Sequence, residues 1–162
     1  MHSPRVLTLV ACVIAVTAAH AQPDGERASL TGIGPVGVLV EELDPEHERD
    51  GLTVELLRTG VESRLRQHGI LLGEPFVNPT LYVSVDAVRW LAEPSYVYSA
   101  NLEVRQIVQI RATKRVVYGA TTWNHGVIGT IQASRLRDIR ETVLDLVDEF
   151  SEDYLAVNPP AR

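Results

Sequence analysis

Apolar residues recur along this chain with two different periods, and the period switches wherever turn residues stand. Val36, Val38 and Val40 alternate with Gly37 and Leu39 inside residues 33–43, which predicts a first strand. Val54, Leu57, Val61, Leu65 and His68 then follow at steps of three and four, so residues 52–68 are predicted helical, with Asp50 as cap and Gly69 as the left-handed closing residue. Glu62 and Arg66 stand off that stripe where they can pair. The acidic stretch 41–50 between them, with Asp44-Pro45 inside it, reads as a loop.

Alternation returns at Leu81, Val83, Val85 and Ala87, set against Tyr82, Ser84, Asp86 and Val88. After a turn at 92–95 it resumes, with Tyr98, Ala100, Leu102, Val104, Val108 and Ile110 set against Ser99, Asn101, Glu103, Arg105, Gln109 and Arg111. Gln106 and Ile107 break the phase, which marks a bulge. Thr113-Lys114-Arg115 turns the chain into a last strand over 116–131. The strand before that turn is about three times the usual length, so it must bend, bulge or project beyond the core. Leu136, Ile139, Val143, Leu146, Val147, Phe150 and Tyr154 form the stripe of a C-terminal helix, capped by Ser134 and stopped by Asn158-Pro159-Pro160. Asp138, Glu141, Asp145, Asp148, Glu149 and Glu152 form its polar side.

The order is strand, helix, a short apolar run at 70–72, a three-strand meander and a helix. Each helix has one apolar stripe and needs one surface to cover. The expected fold is therefore α+β, a four- or five-stranded mostly antiparallel sheet with two helices packed on one face. A parallel first strand would cross over right-handed.

The N-terminus changes the compartment. Arg5, an apolar run over 6–19 and Ala19-His20-Ala21 read as a secretory signal peptide over 1–21. A flexible polar lead-in over 22–32, a single α+β domain over 33–158 and a tail over 159–162 follow. The protein is thus expected to be periplasmic or secreted. Cys12, the one cysteine, leaves with the peptide, taking with it any disulfide, thiolate nucleophile or thiolate metal site. Leu9-Val10-Ala11-Cys12 looks like a lipoprotein box, but its preceding apolar run is short, so lipid anchoring at Cys12 is not the expected outcome.

Charge excludes further classes. The whole chain carries 21 acidic and 15 basic residues, and Arg5 is lost with the peptide. No basic run is long enough to track a phosphate backbone or an anionic membrane surface, so nucleic acid is not an expected partner. No second apolar segment has transmembrane length. Gly32-Ile33-Gly34-Pro35-Val36-Gly37 matches G-x-G-x-x-G, but it precedes a strand and contains Pro35, so it is no dinucleotide site. Residues 41–50 offer many carboxylates without the spacing or central glycine of a calcium loop, and read as a solvated connection. His68 reads as packing at a helix end. G-x-S-x-G, H-E-x-x-H and C-x-x-C are absent, and no cofactor, metal or enzymatic activity is expected. Arg135, Arg137 and Arg140 at the start of the last helix, and Asp148, Glu149, Glu152 and Asp153 at its end, oppose the helix dipole and call for compensating neighbours.

The candidate binding surface is the sheet face away from the helices. A turn centred near 114 would set Glu103 opposite His125 and Arg105 opposite Trp123; a turn at 93–94 would set Asp86 opposite Asn101. The open face is then expected to carry Tyr82, Asp86, Trp90, Asn101, Glu103, Arg105, Trp123 and His125. Tryptophan and arginine together are what binding hot spots favour. The alternative is a small-ligand protein or hydrolase using His125 with Asp86 or Glu103.

The strand at 36–42, the helix 52–68 ending in Gly69-Ile70, the strand 81–88, the long strand at 98–110 and the terminal helix together resemble the small lipopolysaccharide-assembly lipoprotein family of the outer membrane. The resemblance implies the same two-helix α+β layout and a place in envelope assembly, with a lipid or small-molecule ligand as a further class of partner. The function expected from all of this is an exported, non-enzymatic binding or assembly accessory that meets an envelope protein through the open sheet face or an edge strand.

Overall fold

The computed structural model describes residues 24–75, 79–90 and 93–159. The expected signal peptide 1–21, its cleavage point after Ala21, and residues 160–162 lie outside the described residues. The elements in chain order are α1 (Asp24–Ala28), β1 (Gly37–Val40), α2 (Pro45–Arg49), α3 (Val54–Gln67), β2 (Thr80–Trp90), β3 (Ser95–Gln109), β4 (Val116–Gln132), a 3-10 segment (Ala133–Asp138) and α4 (Ile139–Val157). The fold is α+β. Its four strands form one mixed sheet in the order β1-β2-β3-β4, with β1 parallel to β2 and the other neighbours antiparallel. The apolar run at 70–72 adds a single parallel bridge, Val36 to Leu72, rather than a fifth strand.

The alternating and striped positions meet in the core. Val38, Val40, Leu81, Val83, Val85, Ala100, Leu102 and Val104 from the sheet pack against Leu57, Val61 and Leu65 of α3 and against Ile139, Val143, Val147 and Phe150 of α4. Each such side chain removed from water is worth about 1.5–3 kcal/mol, which fixes the face each helix turns inward.

The helix ends differ from expectation in two places. Thr53, not Asp50, caps α3, its Oγ1 accepting from the Leu56 amide at 3.1 Å. The acidic stretch is not loop throughout, because Asp44 accepts from the Glu46 amide at 2.7 Å and Pro45 starts the one-turn helix α2. Ser134 is no cap either: the 3-10 segment precedes α4, which starts at Ile139 with no side-chain cap bond. Gly69 does take the left-handed conformation, with φ 76°. Glu62 and Arg66 do pair, at 2.8 Å.

Most of the charges that oppose the α4 dipole have compensating neighbours. Arg135 binds Asp138 at 2.7 Å and Arg140 binds Glu141 at 2.6 Å. At the other end Asp148 takes Arg64 at 2.6 Å and His68 at 2.8 Å, tying α4 to α3. His68 is therefore partly exposed and hydrogen-bonded to Asp148 rather than a core residue.

Residues 24–32, expected as a free lead-in, are docked. Leu30 is fully buried. Asn158 donates to the Leu30 carbonyl at 2.8 Å and accepts from the Gly32 amide at 2.7 Å. Ser29 Oγ donates to the Thr122 carbonyl at 2.9 Å. Arg27 Nε donates to Asp153 Oδ1 at 2.6 Å, and the other oxygen of Asp153 accepts from Trp123 Nε1 at 3.0 Å.

Two predictions follow from these bonds. Asp153→Ala strands a buried indole N–H and frees Arg27, and is expected to cost about 3 kcal/mol in denaturant unfolding. Arg27→Ala, whose side chain is 45% exposed, is expected to cost about 1 kcal/mol or less; equal small losses would show that Asp153 is not a joint. Tyr96 is buried beside α2, its hydroxyl donating to Asp50 at 3.2 Å. Burial, with Asp50 adding and Arg89 opposing, raises its phenol above the ordinary 10.0. The neutral phenol is thus favoured in the fold, and its stabilisation is complete below about pH 10 and lost as pH rises through the raised value. Tyr96→Phe should flatten the alkaline limb of a plot of unfolding midpoint against pH, and an unchanged limb would reject the assignment.

Candidate interaction face of the sheet

A sheet covered by helices on one side leaves the other to solvent, and alternation decides which side chains stand there. On β2 these are Tyr82, Ser84, Asp86, Val88 and Trp90, paired across β3 with Glu103, Asn101, Ser99, Val97 and Ser95. β4 continues the same rows with Asn124, Gly126, Ile128, Thr130 and Gln132.

The rows near β1 hold a polar cluster. The Arg105 guanidinium lies 3.4 Å from the centroid of the Tyr82 ring. Its Nε donates to Glu103 Oε2 at 3.0 Å, and Thr121 Oγ1 donates to the same oxygen at 3.0 Å. Desolvation raises the Tyr82 phenol above 10.0, with Glu41 adding and Arg105 opposing. Each contact is worth no more than roughly 1 kcal/mol at this exposure, but together they hold a long arginine in one rotamer. The rows near the β2–β3 turn set Val88, Val97, Trp90 and Ile128 among Asp86, Ser95, Ser99, Thr130 and Gln132. Val88, Trp90 and Ile128 are 71%, 53% and 78% exposed. Trp90 borders a groove of about 390 Å³ shared with Glu93, Thr130 and Gln132.

Six of the eight expected residues stand on this face: Tyr82, Asp86, Trp90, Asn101, Glu103 and Arg105. Trp123 and His125 do not. Trp123 pairs with Val104, is fully buried, and meets Phe150 edge-on at 5.3 Å. His125 pairs with Leu102 on the same covered face, its Nδ1 lying 2.5 Å from Glu149 Oε2 of α4. The sheet separates it from Asp86 and Glu103, so the acid–base trio is not assembled.

The physical reason is register. Gln109 faces Val116, so the turn is centred between residues 112 and 113 rather than near 114. Two irregularities then each add one residue to β4, one at Tyr118-Gly119, where Gly119 has φ 67°, and one at Thr122. The outcome sets Glu103 opposite Asn124 instead of His125, a slip of one, which turns a side chain to the other face. Between β2 and β3 the error is two residues, with Asp86 opposite Ser99 and Asn101 opposite Ser84, and the face is kept. The same slip hid Ile128, which the expected register would have placed under the helices.

The acidic stretch spends part of its charge internally, with Glu46 and Asp50 accepting from Tyr96 and Glu46 lying 3.6 Å from Arg89. Among the described residues no group of three or more His, Cys, Asp or Glu is placed to hold a metal ion, and no helix is long and apolar enough to cross a membrane.

The two tryptophans should therefore behave oppositely. Trp90→Ala is expected to change stability by less than about 0.5 kcal/mol, and Trp123→Ala to lose about 3–5 kcal/mol. Guanidinium unfolding of both variants checks this; comparable losses would mean that Trp90 is also packed.

No protein-family model matches the chain, and no curated protein matches it. Among solved structures, a minor lipoprotein from Acinetobacter baumannii is similar to this chain, with 12% identity and a TM-score of 0.42 over 82% of this chain and 98% of the other.

Proposed function

We propose that this chain is an exported, non-enzymatic binding or assembly accessory of the bacterial envelope, and that it meets a protein partner through the open face of its sheet. The observation that carries the reading is the exposure of Val88, Trp90 and Ile128, set among polar neighbours, on a face that no helix among the described residues covers. An open antiparallel face can remain polar at no cost to the fold, so large apolar side chains there are available for a contact. Trp90 supplies an anchor of the kind that dominates interface energies. The Arg105–Tyr82–Glu103 cluster on the same face supplies a preorganised polar rim, which limits the ordering cost of association.

A photo-crosslinking side chain at Ile128 tests the reading in the producing cells, with one at Arg58 on α3 as the control. The expected outcome is one envelope protein captured from position 128 and absent from position 58. Trp90→Ala combined with Ile128→Asp should reduce that capture at least tenfold while leaving the melting temperature unchanged. The same products from both positions, or undiminished capture by the double variant, would overturn the proposal.

A further inference from the structure

Beyond Gln106, whose side chain still donates to the Ser29 carbonyl at 3.2 Å, β3 and β4 continue as a two-stranded ribbon, with no helix of the described residues beneath them, to a turn at 111–114. There the Lys114 amide donates to the Ile110 carbonyl at 2.7 Å and the Ile110 amide to the Arg115 carbonyl at 2.8 Å. This ribbon is unlike the rest of the molecule in two independent ways.

The first is charge. The chain has 21 acidic residues, yet none stands between Glu103 and Asp138. Glu103 itself is bonded to Arg105. The turn carries Arg111, Lys114 and Arg115, all exposed, and among the described residues none of these three side chains forms an ion pair. Lys114 holds a left-handed φ of 58°, which sets a cation at the apex of the turn.

The second is apolar exposure on both sides. Val108 pairs with Val117 and Gln109 with Val116, so Val116 and Val117 point to opposite faces. Their exposures are 50% and 37%, and Ile107, Ile110 and Tyr118 are also exposed, Tyr118 at 77%. A protein groove would have to enclose such a ribbon from both sides. A bilayer surface surrounds whatever enters it. Aliphatic side chains at the acyl boundary, a tyrosine at the headgroup level and cations among lipid phosphates are the composition of an interfacial segment.

We infer that the β3–β4 hairpin tip docks on an anionic phospholipid bilayer, with Ile110, Val116, Val117 and Tyr118 entering the interface and Arg111, Lys114 and Arg115 meeting phosphates. Four residues of ribbon from Ile107 to Ile110, beyond the tethered Gln106, reach roughly 14 Å at ~3.4 Å per residue, enough to enter the interface and too short to span the ~30 Å hydrocarbon core. The acidic body is repelled from the same surface, which orients the molecule tip-down. Three cations within five residues make no run of the kind that tracks a phosphate backbone or an anionic membrane surface along the sequence, but the turn collects them at one point with the apolar side chains, which a run along the sequence does not register. The inference rests on the envelope reading only for a membrane to be at hand, and on no property of the sheet face.

The test is flotation of the purified protein with vesicles, the processed form being the same for every variant. Vesicles of equal parts phosphatidylcholine and phosphatidylglycerol should bind the protein at least tenfold more tightly than phosphatidylcholine alone. Raising salt from about 0.05 to 0.5 M should weaken the binding. Each cation near such a surface contributes roughly fivefold, so Arg111→Gln, Lys114→Gln and Arg115→Gln together should lower the partition coefficient about a hundredfold. A Tyr118→Trp substitution in a Trp90→Phe background should give blue-shifted emission on the mixed vesicles. Equal binding to both vesicle types, survival of binding in the triple variant, or unshifted emission from position 118 would overturn the inference. Retention on polyglutamate with none on vesicles would overturn it too, and would give the tip to an acidic protein. Because vesicles replace the cell, failure here leaves the partner-capture experiment at Ile128 untouched.

Discussion

One buried carboxylate sits where three parts of the chain cross. Asp153 is 6% exposed on the inner edge of α4, and its two oxygens accept from Trp123 of β4 and from Arg27 of the N-terminal segment. A carboxylate in that position is tolerable only when paired and hydrogen-bonded, so each of its partners constrains the others. Phe150, one turn before Asp153, packs edge-on against the same indole. The indole is thus held by its ring through Phe150 and by its N–H through Asp153, which is what a buried tryptophan needs at both its apolar body and its polar tip.

From that joint the two faces of the sheet are determined. With Trp123 turned inward, the period of two turns His125 and Val127 inward as well, and Asn124, Gly126 and Ile128 outward. The two β4 irregularities take up the mismatch between this inner register and the register that the 111–114 turn imposes at the far end. Gly119 is needed at the first because the backbone there adopts φ 67°. Bulges increase local twist, and beyond them no helix among the described residues covers the ribbon. The projecting hairpin and the anchored tryptophan are consequences of one register problem.

This also explains what was legible in the residues. Strands β2, β3 and β4 and the stripes of α3 and α4 could be read because their periods are local properties of neighbouring side chains. Six of the eight open-face residues could be read for the same reason, since errors of an even number of residues conserve the face. Trp123 and His125 could not, because their orientation depends on two insertions that alternation in β4 does not announce; the phase break at Gln106-Ile107 marked the right place but not the number. Thr53 was hidden by Asp50, an equally good cap a few residues earlier that instead closes α2 and meets Tyr96. Asp153 was hidden inside an acidic run. At 100° per residue it lies only about 60° around the helix from Phe150, at the border of the apolar stripe, and only the presence of β4 beneath that border makes it internal.

The distinction that emerges is between side chains the fold uses and side chains it leaves over. Asp148, Glu149 and Asp153 look like a solvated acidic end of a helix, yet they join α4 to α3, β4 and the N-terminal segment. Arg105 looks like surface charge, yet it is fixed between Tyr82 and Glu103. Val88, Trp90 and Ile128 at one end of the sheet, and the cations and aliphatic residues of the hairpin at the other, have no such internal task. Exposure of apolar surface opposes solubility, and unpaired like charges within five residues repel one another; neither improves the stability of this domain alone. Residues that weaken a fold in isolation are explained when something outside the fold meets them. Here the two leftover groups lie at opposite ends of one sheet, so the proposed protein contact and the proposed membrane contact make separate demands on the fold and neither obstructs the other.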